Sequence, residues 1–341
     1  MSNTADPRPL RLLRLATGTS LALVASFGLA LPLPFIAPML ALFLLAMRNQ
    51  ALPTVAALAL PALIMLTTGA SLLLIPLLQH AALAGVLLVG LGLSACFAFQ
   101  LRGGNALLST FLVIGLTMIT AAGTTSFSLA MIVIEALTKG LLLATLASLL
   151  SHWLFPEPAG LHQATPAAQT PEGEHGWIAL RATLVVMPAY LLALIDPSRF
   201  MPLIMQSVNL GQQTCASNAR QAGWELLGST LLAGLLAMLF WSLLSIFPHL
   251  WMFALWMLLF ILLVGRKLYA LSRTRLSQKF WLNSLSTLIL LLGQSVQDSA
   301  SGKDVYGAFA IRMGLFMAVA LYATLMVQLF DNQRRKRRLN A

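Results

Sequence analysis

Apolar residues run along this chain in long blocks separated by short polar stations. Twelve blocks can be drawn, at 10–32, 34–47, 52–76, 81–99, 105–123, 127–154, 177–195, 200–212, 221–246, 249–265, 280–297 and 305–330. A helix needs about 20 apolar residues to cross a hydrocarbon core, and most blocks approach that length. The pattern predicts an all-α, polytopic membrane protein with about twelve apolar segments. Segments 2 and 8 are the short ones and read as short or re-entrant. Pro34 and Pro38 interrupt the first of them, and Pro202 opens the second. Backbone dipoles exposed by such broken helices are a recurring feature of transporter sites.

The stretch from Phe155 to His175 is rich in Pro, Ala, Gln and Gly and reads as a poorly ordered cytosolic connector. It predicts four parts: a six-helix bundle over 1–154, a linker over 155–176, a second six-helix bundle over 177–330 and a basic tail over 331–341. The halves correspond segment by segment. Arg14 finds Arg181, Pro38 finds Pro202, His80 finds His249 and Lys139 finds Arg312. Each half has an even number of spans, so the two repeats are expected to point the same way, about an axis along the membrane normal.

Composition fits this solvent. Hydrophobic residues make up 59% of the chain and charged ones 9%, against about 25% charged in an ordinary soluble domain. No water-soluble catalytic domain is expected. The basic residues fall almost wholly on one side of the layout. The exceptions are Arg199 and Lys303 in the opposite loops and Lys139 and Arg312 within spans. By the positive-inside rule both termini are cytoplasmic, in a bacterial inner membrane. The net charge of +11 is then accounted for by topology and anionic lipid, and no nucleic-acid partner is implied. Arg8, Arg11 and Arg14 precede an apolar run with a cleavage-like Gly28-Leu29-Ala30. The run continues to Met47, which favours an uncleaved first span. Cys96 and Cys215 exclude a disulfide framework.

Charges inside spans carry the candidate chemistry. A central Lys or Arg costs about 2.5–3.5 kcal/mol on insertion scales, so it usually pairs or lines a wet cavity. Glu135 precedes Lys139 by four residues and shares its helical face. Arg312 has Ala308 at that spacing. One reading is a buried ion pair plus an arginine reaching toward headgroups. The other is that Lys139 and Arg312 attract an anion along a substrate path, with Glu135 as a proton carrier. Glu225 reads as an interfacial residue paired with Arg220. Gln206, Ser207, Asn209 and the polar residues after them form either a cytosolic loop or a re-entrant gate. Thr117, Thr120, Asn283, Ser284 and Gln294 could line the same cavity or bond neighbouring helices. His80 and His249 read as interfacial, not as metal ligands. No phosphate loop, HExxH, CxxC or nucleophile elbow is present. Neither an enzyme nor a cofactor is expected.

Several of these residues together resemble the FUSC-like superfamily of fusaric acid resistance and aromatic acid exporter permeases. Arg14 and Arg181 match a basic residue ahead of each bundle, and Lys139 and Arg312 match one in each last helix. Glu225-Leu226-Leu227-Gly228-Ser229-Thr230 is similar to a middle-helix motif, with Glu where Arg is usual, while Leu66-Thr67-Thr68-Gly69 barely matches. The likeness is to a compact branch without the large cytosolic domains. It implies efflux of small organic, often aromatic, acids, and proton drive with alternating access between the two bundles is the mechanism expected here. It also implies an HlyD-like periplasmic adaptor and an outer-membrane channel as partners, and a homo-oligomer is compatible with it. The candidate path is then Lys139, Arg312, Glu135, Pro38, Pro202, Gln206 and Asn209. The alternative is a non-transporting membrane scaffold that recruits or stabilises an adaptor.

Overall fold

A computed structural model describes residues 6–48, 50–157, 175–215 and 219–339. Among them the chain is built of helices, with no strand. In order these are α1 (Arg8–Gly28), α2 (Ile36–Met47), α3 (Thr54–Ser71), α4 (Ile75–His80), α5 (Ala82–Leu101), α6 (Ala106–Thr125) and α7 (Phe127–Leu154). After the linker come α8 (His175–Ile195), α9 (Pro197–Cys215), α10 (Ala219–Leu244), α11 (Leu250–Leu268), α12 (Gln278–Ala300) and α13 (Val305–Leu339). A single 3-10 turn, Leu72–Leu74, joins α3 to α4, so the third apolar segment is one broken helix. Linker residues 158–174 and the side chains of the tail from 331 lie outside the described residues.

Nine helical stretches among the described residues are long and apolar enough to cross a membrane. This is a polytopic α-helical membrane protein. α2 is too short for that class at 12 residues. α9 and α12 have the length, at 19 and 23 residues, but carry too many polar side chains to be counted by hydropathy. The eighth segment is longer than its apolar core because Pro197 begins it, and proline is tolerated in a first helical turn. α12 starts where Ser277 Oγ accepts from the Phe280 amide at 3.2 Å, an N-cap. Many hydroxyls are satisfied within their own helix, as Thr68 Oγ1 donates to the Ile64 carbonyl and Thr117 Oγ1 to that of Val113.

The helices gather into two compact units, and these cut across the division of the chain at its linker. The first unit takes 1–63, 135–164 and 231–309. In it α1 packs on α2 and α11, while α12 packs on α11 and α2. The second takes 64–134, 165–230 and 310–341. There α8 packs on α9 and α5, while α6 packs on α9 and α5. Each unit thus combines the opening helix pair of one half with a later pair from the other. Small residues make this packing close: Gly265 of α11 faces Leu12 and Leu15 of α1, and Gly293 of α12 faces Phe35 at the start of α2. Phe240 stacks edge-on against Phe253 and Phe260, consistent with offset aromatic packing. The unit bounds fall inside α3, α7, α10 and α13. In each unit the innermost elements are the two that meet across the halves, α2 with α12 and α9 with α6, and they are buried along most of their length.

Candidate functional site

α9 shows why one polar run is unusual. Every residue from Met201 to Gly211 is buried, held by α8 and α6. Pro202, Gln206, Ser207 and Asn209 therefore lie inside a packed helix of the second unit, and the loop alternative for residues 206–214 is corrected, since α9 runs on to Cys215. Gln206 and Asn209 stand three apart and so share a face. Other polar contacts occur elsewhere in the same unit. Thr120 Oγ1 on α6 lies 3.1 Å from Tyr190 Oη on α8, and Tyr322 Oη on α13 donates to the Leu184 carbonyl at 3.1 Å. In the first unit Pro38 is buried in α2, against a helix carrying buried Asn283, Ser284, Ser286, Thr287 and Gln294. Both units keep amides and hydroxyls where apolar residues would pack as well.

The span charges are distributed differently. Glu135 and Lys139 form the ion pair that their spacing predicts, on the part of α7 that belongs to the first unit. Their side chains are 46% and 52% exposed, so the pair sits on the surface of the chain, and the alternative of a buried ion pair is corrected. Arg312 is half-buried on α13, in the second unit. His80 and His249 are exposed at helix ends, and no cluster of metal-ligating side chains occurs among the described residues. The partner expected for Glu225, Arg220, has its side chain outside the described residues.

A cluster at the beginning of α1 was not foreseen. Glu157, just past the end of α7, reaches two arginines one helical turn apart. Its Oε1 accepts from Arg11 Nε at 3.1 Å and from Arg11 Nη2, while its Oε2 accepts from Arg14 Nη2 at 2.8 Å. The Glu157 and Arg14 side chains are 5% and 3% exposed, and Arg11 is 22% exposed. Each carboxylate oxygen is thus engaged by a different guanidinium, in charge-assisted geometry. Burial acts to raise the Glu157 carboxyl, but the hydrogen bonds and charges of Arg11 and Arg14 outweigh it and hold the group below its usual range. Tyr269, at the end of α11, feels the same charges. Burial pushes its hydroxyl up to about 12, against a downward pull from the two arginines and with an upward push from Glu157. The signal available in sequence was the three-residue spacing of Arg11 and Arg14, which aims both at one point. Glu157 itself was hidden in a stretch whose composition reads as linker.

Residues 11–150, from α1 to near the end of α7, match the model of a family described as a protein of unknown function (DUF2955). No curated protein and no solved structure matches the chain.

Proposed function

We propose that this protein is an inner-membrane permease that exports small organic anions, aromatic acids among them, with proton drive and a periplasmic membrane-fusion adaptor. The observation that carries the reading is α9, a helix buried from Met201 to Gly211 that nevertheless bears Gln206, Ser207 and Asn209. Polar side chains inside membrane helices are expensive, and they recur along ion and substrate pathways as well as in hydrogen bonds between helices. A Pro-containing helix at the corresponding place of the other half, α2 with Pro38, adds the sign typical of transporter repeats. In this reading the chain is a repeat of six segments per half, similar in plan to FUSC-like permeases, with both termini cytoplasmic. In the same reading Lys139 and Arg312 supply positive potential toward the anion, and Glu135 hands on protons.

The test is benzoate movement in proteoliposomes under an imposed pH gradient. The wild-type chain moves benzoate, and a Lys139→Ala/Arg312→Ala double variant that inserts normally moves it at least tenfold more slowly. Full transport by that double variant would remove the anion path. The scaffold reading is favoured by one feature, the half-exposed Glu135–Lys139 pair, which suits a contact with another membrane helix. A scaffold would bind its adaptor and move no solute.

A further inference from the structure

The Arg11–Arg14–Glu157 cluster has the form of a carboxylate-binding site already filled by a carboxylate of the chain. Two guanidiniums clasp one carboxylate and leave a net positive charge in a place where Arg14 and Glu157 are almost fully buried. Burying charge is costly, and a fold that merely closes this corner has a cheaper solution. In the second unit Trp177, near the start of α8, stacks on Phe330 of α13 with ring centroids 4.8 Å apart, an apolar closure on a helix whose Arg181 is buried as Arg14 is on α1. Glu157 also lies outside any helix, three residues beyond Leu154 and directly after Pro156. It can withdraw without unwinding α7. Arg11, the most exposed member, gives the side from which a solute would enter.

We propose that Arg11 and Arg14 form a binding site for a small organic carboxylate, that Glu157 occupies it as a tethered stand-in, and that free carboxylate exchanges with Glu157. The exchange breaks the hydrogen bonds from Arg11 and Arg14 to Glu157 and remakes them to the solute, so charge is conserved in the cradle while Glu157 gains water. Calling that solute the cargo rests on the export reading; the binding itself does not.

The experiment is a melting-temperature titration of the detergent-purified full chain with benzoate. Glu157→Ala vacates the cradle, so it melts below wild type, and benzoate restores it saturably, at concentrations at least tenfold lower than any that move the wild type. A ligand that binds only the folded state must produce such a rise. Benzamide, with the same ring and no charge, and chloride at equal concentration do not restore it, and Arg14→Ala added to Glu157→Ala abolishes the response. Should Glu157→Ala fail to survive extraction, the titration is run as thermal aggregation in native membranes. A response of Glu157→Ala to benzoate no greater than that of wild type, or equalled by chloride, overturns the proposal. Rescue by benzoate without transport in proteoliposomes would leave the cradle standing and remove export, whereas transport without rescue would do the reverse.

Discussion

Glu157 is 5% exposed, and a carboxylate at such a site stays ionised only because Arg11 and Arg14 lie against it. Removing one partner of a buried ion pair typically costs about 3–5 kcal/mol, because the other charge is left uncompensated. Glu157→Gln should therefore melt well below wild type at neutral pH. The carboxyl is held below its ordinary value of 4.5, so its contribution is present in full above that value and is lost as pH falls through the lower, folded one. The difference in melting temperature between wild type and Glu157→Gln should stay constant down to about pH 5 and close below it. A difference that widened on acidification would reverse the sign and defeat the argument. Sequence reasoning reached Glu135 and Lys139 because their pairing is local, four residues on one helix. It did not reach Glu157, whose partners lie 143 and 146 residues away. Composition around Glu157 speaks of a linker, and only tertiary packing shows that Glu157 itself is held.

At the scale of elements, apolar length located the helices well, because the hydrocarbon demands it of almost every one. What length and hydropathy miss is how a polar helix such as α12 is buried. Its Gly293 lets α12 approach Phe35, and an added Cβ there would meet the Phe35 Cβ, an atom fixed to the backbone. Gly265 on α11 differs, since its added Cβ would meet chiefly the Cδ1 tip of Leu12, which can rotate aside. Alanine in place of glycine favours a helix by about 0.8–1.0 kcal/mol, while overpacking a close contact costs about 1–3 kcal/mol. Gly293→Ala should lower the melting temperature, and Gly265→Ala should leave it unchanged or raise it. Equal effects at the two positions would show that the approach of α12 to α2 tolerates slack. No hydropathy pattern distinguishes these two glycines. Only the neighbour across the contact does.

On the scale of the whole molecule, the pairing of helices matters more than their number. The proposed correspondence of Arg14 with Arg181 and Pro38 with Pro202 rests on spacing along the chain, because repeats preserve spacing. Which helices touch was not, since periodicity specifies a buried face but not the partner that buries it. In the first unit α1 and α2 from the front of the chain pack with α11 and α12 from its end, and in the second α8 and α9 pack with α5 and α6. A fragment ending at Glu157 would hold α1 and α2 without α11 and α12, leaving Leu12, Leu15 and Phe35 without their cover. The complementary fragment from 165 onward would lack α5 and α6, on which α8 and α9 pack. Each fragment alone is therefore expected to be degraded or to aggregate, and the two co-expressed as separate chains to copurify and resist protease. The measurement is membrane yield and limited proteolysis of tagged fragments, alone and together. Either fragment accumulating alone as a monodisperse, protease-resistant bundle would mean that each half buries its own apolar faces, and the shared units would then be wrong. Copurification also carries a consequence for export: a nick at the linker should leave transport intact, because the helices of each unit would remain held by packing across the two fragments.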